Sequence, residues 1–317
     1  MILVTGAGGY LGSHIVRRLA EAGQPVRALV RSRAWAEAEG RLAGLQFEWA
    51  EGDVTRPETL TGALRGVQAV VHTVAIAIEK RGQTYEAINY GGTVNVVDVA
   101  KAAGVRRFIY VSQLGANAGL PYRFLASKGK GQDYVAAAGL DWTAFRPSVI
   151  WGPEDEFANA FARLIPLTPL FLPIIGDGQA AFQPVWVEDV VTAVVKSIND
   201  RATVGQAYDL GGPEVLTIET IERRTLAALG ARRLLIPFPL PLLRLPVALM
   251  GLLFPAPPVT LSLLDLLQVD NTVKNNALPR FVDQPRAFTA ENARDYMRRF
   301  KAGDTLRQFF GQPVGSR

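Results

Sequence analysis

Three glycines, Gly6, Gly9 and Gly12, stand between a short apolar run, Ile2 to Thr5, and a segment with helical periodicity. In that segment Leu11, Ile15 and Leu19 repeat on one face and Gly23 supplies a stop. Each glycine has its own physical task. Gly6 permits the tight turn after a strand, Gly9 lets the backbone approach a pyrophosphate, and Gly12 lets helix and strand pack closely. The helix start then offers free N–H groups and the positive end of its dipole to phosphate. Few chain geometries satisfy all three demands at once, and strand, glycine loop and helix here come in the order they require.

A second strand, PVRALV, follows at once, and strand–helix alternation continues through LQFEWAEGDV, VQAVVHTVAI, VRRFIYVSQLG and DWTAFRPSVI. Such alternation predicts an α/β fold: a doubly wound parallel Rossmann sheet with helices on both faces. The 317 residues also allow a smaller, mostly helical C-terminal lobe. The expected division gives 1–152 and 181–212 to the dinucleotide-binding domain, and 153–180 and 213–317 to the lobe.

The ends of the strands carry the chemistry. Strand two ends at Val30, where NAD-binding folds place an acid against the ribose hydroxyls, and this sequence reads Arg31-Ser32-Arg33. A guanidinium holds a 2′-phosphate that an acid would repel, so the cofactor expected is NADP(H) in preference to NAD(H). Asp53, after the third strand, is placed to accept from the adenine amino group with Val54 beneath the ring; it also suits a helix N-cap before RPETL. His72, Thr73, Val74 and Ala75 end the fourth strand, beside the nucleotide near the point where strand order reverses.

Composition narrows the remaining classes. The chain has no cysteine, which excludes disulfide and thiolate chemistry, and only two histidines, His14 and His72, so no metal site is expected. Net charge is +5 and the pI about 9.5, without a long basic run. That excess suits an anionic cofactor, an acidic membrane surface or an acidic partner protein. No nucleic-acid motif accompanies it, and none is expected to bind. The sequence starts directly in a strand without a charged leader, which reads as cytoplasmic.

TGAGGYLG (Thr5 to Gly12), GDV (Gly52 to Val54), Ile88 to Ser112, RPSVIWGP (Arg146 to Pro153) and PVWVEDVVTAV (Pro184 to Val194) together resemble the extended and atypical branch of the short-chain dehydrogenase/reductase superfamily. Within it the chain is most similar to the group of the reductase-like accessory subunit of respiratory complex I and its bacterial relatives. The resemblance implies that Gly6, Gly9, Tyr10, Leu11, Gly12, Arg31, Asp53, Val54, Thr73, Val74, Ala75, Ser112, Lys128 and Pro147 line the cofactor. Lys128 would bond the nicotinamide ribose. The family acid is a tyrosine one helical turn before the lysine, and there this sequence has Phe124, which neither donates nor accepts a proton.

Three readings of PYRFLASKGK follow. Phe124 leaves a cofactor-binding protein without the usual hydride chemistry; or Tyr122, outside the helix, takes over proton transfer; or substrate or water supplies the proton. The catalytic candidates are thus Lys128, Ser112 and Tyr122. The implied functions are an oxidoreductase acting on a lipophilic small molecule, or a non-catalytic nucleotide-binding accessory or assembly subunit of a membrane-associated respiratory complex.

The stretch from Arg232 to Pro258 is nearly all apolar, yet prolines at 237, 239, 241, 246, 255, 257 and 258 interrupt it. Its longest proline-free piece, Val247 to Phe254, is far below the roughly 20 residues of a spanning helix. It suits a greasy substrate pocket, a docking surface on the inner face of a membrane beside Arg232, Arg233 and Arg244, a partner interface, or a buried helical core. The basic segment from Asn292 to Gln312 reads as a solvated terminal helix.

Overall fold

All four residues of the first strand are buried, as a strand covered on both faces must be. The computed structural model describes residues 1–79, 82–253, 261, 264, 270–297 and 307. Along the chain come β1 (Ile2–Thr5), α1 (Tyr10–Glu21), β2 (Val26–Val30), α2 (Arg33–Glu39), β3 (Glu48–Glu51), β4 (Ala69–His72) and α3 (Gly92–Ala102), then β5 (Arg107–Val111), α4 (Arg123–Ala137) and β6 (Asp141–Pro147). After these come β7 (Ile150–Trp151), α5 (Ala158–Leu164), β8 (Phe171–Ile175), β9 (Ala181–Phe182), β10 (Val185–Trp186) and α6 (Val187–Asn199). The chain continues through β11 (Gln206–Leu210), β12 (Leu216–Thr217), α7 (Ile218–Leu229), β13 (Leu234–Phe238) and α8 (Leu240–Leu253), and a further helix covers Ala290–Met297.

Seven strands form one sheet in the order β11-β6-β5-β4-β1-β2-β3, and every pair in it is parallel. The order reverses between β1 and β4, which is where a doubly wound sheet opens a crevice for ligands at its carboxyl ends. Leu3, Val70, Phe108 and Tyr110 fill the core on one side of the sheet. α1 meets α6 through His14 and Arg18, whose side chains both reach Glu188, at 2.5 and 2.6 Å.

The chain divides into two compact units. One holds Met1–Pro147, Val187–Leu210 and Asn275–Gln284; the other holds Ser148–Trp186, Gly211–Lys274 and Pro285–Arg317. This division sets Ser148 to Gly152, Ala181 to Trp186 and Gly211 to Gly212 apart from the nucleotide-binding unit; β7 pairs with β10 rather than with the large sheet. It also returns Asn275–Gln284 to that unit, where the Ala277 amide donates to Asp209 O and Phe281 packs on Phe145 and Tyr208.

The second unit has an aromatic core of Trp151, Phe157, Phe161, Phe182 and Phe288, closed by Ile218 and Ile221 of α7. Here the structure departs from expectation. The proline-broken segment after α5 contains β8, which pairs in parallel with β13 from Leu234↔Phe171 to Phe238↔Ile175. Pro173 and Pro237 both lie in this ladder. A two-stranded sheet has only edges, so a missing N–H can face away from the partner. α8 forms despite Pro241 near its start and Pro246 inside it. Phe254 and the prolines at 255, 257 and 258, which end the apolar stretch, and most of the terminal segment beyond Met297 lie outside the described residues.

Candidate functional site

The turn after β1 is built as its glycines require. Gly6 has φ +70°, the left-handed region that side chains avoid. A Cβ on Gly12 would stand 2.2 Å from Gly6 O, so only glycine lets α1 approach the turn this closely. A Cβ on Gly9 would meet only Gly6 O, at 3.2 Å, which leaves the rest of its surroundings open. Gly9 is the N-cap of α1; no side chain caps the helix and no acid stands in its first turn. The leading N–H groups of a helix have no intrahelical partners, and a helix start without a side-chain cap is a seat for phosphate.

A cavity of about 560 Å³ opens beside this turn. Gly6, Gly9, Tyr10, Leu11 and Gly12 line its floor, Arg31 stands at the end of β2, Asp53 and Val54 follow β3, and Thr73, Val74 and Ala75 follow β4. Arg31 is exposed and makes no hydrogen bond among the described residues, whereas Arg33 is taken up by Glu37 and by Glu51, which accepts from its amide. Partial burial works against ionisation of Asp53, yet hydrogen bonds from Thr55 and the charges of Arg31 and Arg56 hold its carboxyl below the usual range. Its Oδ1 accepts from Thr55 N and Oγ1 at 2.8 and 2.7 Å. That is an Asx turn and not the expected N-cap: the short helix Pro57–Thr59 starts after Arg56 without a side-chain cap.

His72 departs from expectation. It does not line the cavity; it is fully buried, with Nδ1 2.7 Å from Thr5 Oγ1 and Nε2 3.1 Å from Thr93 Oγ1. Burial, reinforced by the Lys128 charge, pushes its pKa down to about 3, so it is a neutral strut between β1, β4 and α3.

A second group of predicted residues, outside the lining of this cavity, gathers where β5 ends and α4 starts. Ser112 Oγ is buried without a hydrogen-bond partner among the described residues. Lys128 is buried, donates from Nζ to Val111 O at 2.6 Å and sits 4.7 Å over the Tyr110 ring. Burial pushes its ammonium down to about 7. Tyr122 is the N-cap of α4, at φ −77° and ψ 101°, and is 43% exposed. It therefore lies outside the helix. Phe124 is one turn before Lys128, its ring meeting Tyr85 edge-on at 5.6 Å. Pro147 ends β6, where its carbonyl accepts from Leu114 N at 2.9 Å.

A family model described as NAD(P)H-binding matches residues 6–159. Over 218 residues the chain is 32% identical to the mitochondrial NADH dehydrogenase [ubiquinone] 1 alpha subcomplex subunit 9 of Arabidopsis thaliana, covering 68% of this chain and 54% of that protein. It thus spans little more than half the length of that relative. It is 30% identical to the NAD(P)H azoreductase of Xenophilus azovorans over 73% of this chain and 74% of that one. The chain belongs to the short-chain dehydrogenase/reductase superfamily. The UDP-glucose 4-epimerase of Thermus thermophilus, solved in complex with NAD, shares the fold of this superfamily member at 21% identity, with a TM-score of 0.68 over 94% of this chain and 99% of that one.

Sequence reasoning missed several lining residues of this dehydrogenase-like chain. Trp35, Ile76, Gln83 and Ile88 face the cavity, and Trp35 is 53% exposed there. Ser32 caps α2 by accepting from Trp35 N, which fixes the tryptophan in the helix's first turn beside Arg31. The Ser32–Trp35 spacing was the available signal. Asn89 supports the rim: its Oδ1 accepts from Ile76 N at 2.8 Å and its Nδ2 donates to Ser127 Oγ at 3.1 Å. It joins the loop after β4 to α4, a role no local pattern announces.

Proposed function

We propose that this protein is an NADP(H)-dependent oxidoreductase acting on a lipophilic small molecule. The observation that carries the reading is an α1 N-terminus without a side-chain cap over an open Gly9, with Arg31 lining the same cavity. The α1 amides would take the pyrophosphate, Arg31 the 2′-phosphate, and Asp53 with Val54 the adenine. Thr73, Val74 and Ala75 would border the nucleotide, and Lys128 would bond the nicotinamide ribose. When bound, the nucleotide supplies the hydride. Phe124 supplies no proton, and Tyr122 is the hydroxyl that the start of α4 offers in its place. Ser112 Oγ, buried and unpartnered, would orient the substrate oxygen. The apolar character of the stretch from Arg232 to Pro258 is the sequence feature that favours a lipophilic substrate.

Phe124 and the likeness to the NADH dehydrogenase subunit favour a second reading, in which the nucleotide is structural and the chain is an accessory or assembly subunit at a respiratory membrane complex. The two separate in one experiment. NADPH oxidation is followed with quinone, azo and apolar carbonyl acceptors for the wild-type protein and for Phe124→Tyr. Wild-type turnover supports the oxidoreductase. No wild-type turnover with a gain in Phe124→Tyr supports the accessory role, since a restored general acid is worth roughly 10²–10⁴-fold. Failure of wild type to bind either nucleotide refutes both.

A further inference from the structure

α8 is apolar on both of its faces. Leu240, Leu243, Val247 and Met250 turn inward and pack with Leu164, Ile175 and Leu264. Leu242, Leu245, Leu249, Leu252 and Leu253 do not; they are between 49% and 83% exposed. At about 100° per residue the five exposed leucines share an arc roughly 100° wide, opposite the packed one. The strand that leads into the helix repeats the pattern: Leu234, Ile236 and Phe238, two apart on one side of β13, are exposed by 67%, 38% and 36%. Isolated exposed leucines need no explanation, but an arc of five on one helix does.

Length and charge decide what covers this face. α8 has 14 residues, about 21 Å of helix, against a hydrocarbon layer of about 30 Å. Among the described residues no helix is long and apolar enough to cross a membrane. From Thr225 to Leu264 the sequence holds three charged residues, Arg232, Arg233 and Arg244, before Asp265; the Arg233 guanidinium is taken up by the carbonyls of Ile165, Thr168 and Arg232. Arg232 and Arg244 are exposed, and Arg244 falls between the outward and inward arcs of α8. A long cationic side chain on such a flank keeps its charge at headgroup level while its stem lies along apolar surface.

We propose that the outer face of α8 seats this protein on the surface of an anionic lipid bilayer. The leucines enter the acyl boundary, the helix lies in the plane of the membrane, and Arg232 and Arg244, the exposed arginines of this stretch, meet the anionic headgroups. Neither the reductase nor the accessory reading is needed for this, since every residue invoked lies outside the nucleotide cavity.

The test is flotation of the full-length protein with vesicles of neutral phosphatidylcholine and with vesicles enriched in phosphatidylglycerol, at low and high ionic strength. Binding is expected to the anionic vesicles at low salt and to weaken as salt rises. Leu245→Ser combined with Leu252→Ser is expected to weaken partitioning about 100-fold or more, at roughly tenfold or more per buried leucine, with an unchanged thermal melt. Independently, the emission that Leu249→Trp adds over the five native tryptophans of wild type is expected to shift to the blue on anionic vesicles and to be quenched by acyl-brominated lipid. The proposal is overturned by absence of flotation at low salt, by equal flotation of the double variant, or by a Leu249→Trp emission that vesicles leave unchanged. Loss of folding in the double variant marks the leucines as core and overturns it as well. A dimer that the double variant converts to monomer assigns the face to a second copy of the chain instead.

Discussion

Gly12 and Gly9 stand three residues apart in one turn and are expected to fail in opposite ways. A methyl on Gly12 would lie 2.2 Å from Gly6 O and 2.7 Å from Gly6 C. Ordinary contact begins near 3.4 Å, so α1 or the turn must give by about 1 Å. Neither yields easily, because Gly6 is fixed at φ +70° and the buried Ile15, Val16 and Leu19 hold α1 in place. Overpacking against side chains costs about 1–3 kcal/mol, and against backbone the upper end is the floor, so Gly12→Ala is expected to lose about 3 kcal/mol or more. Gly9 has φ −83° and ψ 176°, extended backbone that any residue adopts, and its Cβ would meet one atom at 3.2 Å. Gly9→Val is therefore expected to keep stability within about 1 kcal/mol, a typical surface effect. Its branched side chain would stand where a pyrophosphate approaches, so nucleotide binding is expected to vanish. Urea midpoints read the first quantity and titration calorimetry with NADPH the second. A Gly12→Ala protein as stable as wild type, or a Gly9→Val protein that binds NADPH with wild-type affinity, refutes the account of the turn given above.

Two further perturbations address charge. Arg31→Ala is expected to weaken NADPH binding by about 1.5–3 kcal/mol, the worth of a charged hydrogen bond, and to leave NADH nearly unchanged; equal wild-type affinities for the two nucleotides would sink the NADP(H) reading. Lys128 has a folded pKa of about 7 against 10.5 for a free lysine, so between those values the unfolded chain binds more protons, and stability is expected to rise as pH climbs from about 7 to about 10. Lys128→Met should flatten that rise and, after loss of the bond to Val111 O, still stabilise the free protein at neutral pH by about 1–3 kcal/mol. Urea melts at the two ends of the pH range check it, and an undiminished rise in the variant would show that another group titrates.

The β1–α1–β2 unit was legible because every part of it is local: an apolar run, glycines at fixed offsets and a periodic helix each act over a few residues. The parallel sheet followed from the alternation of such units, since crossovers leave little choice of hand or order. The β8–β13 ladder was not legible, because the register Leu234↔Phe171 joins segments far apart in sequence and both carry prolines, which read locally as breaks. His72 looked like a cavity residue for the same reason. Its position after an apolar run was correctly read as a strand end, but its partners, Thr5 and Thr93, come from β1 and α3 and draw the ring into the core.

The division between legible and hidden also runs through single elements. Arg31 and Lys128 are both cations at strand or helix positions facing the sheet's carboxyl ends, yet one is exposed and the other buried and held near neutrality. Sequence gives the residue type; only packing gives the desolvation that pulls the pKa of Lys128 down. α8 is the limiting case. Leucine occupies two opposite arcs of it, so periodicity assigns no inside and no outside. The assignment comes from Leu164, Ile175 and Leu264, which occupy one arc and leave the other bare. An element that reads the same on two opposite faces takes its function from whatever fails to cover one of them.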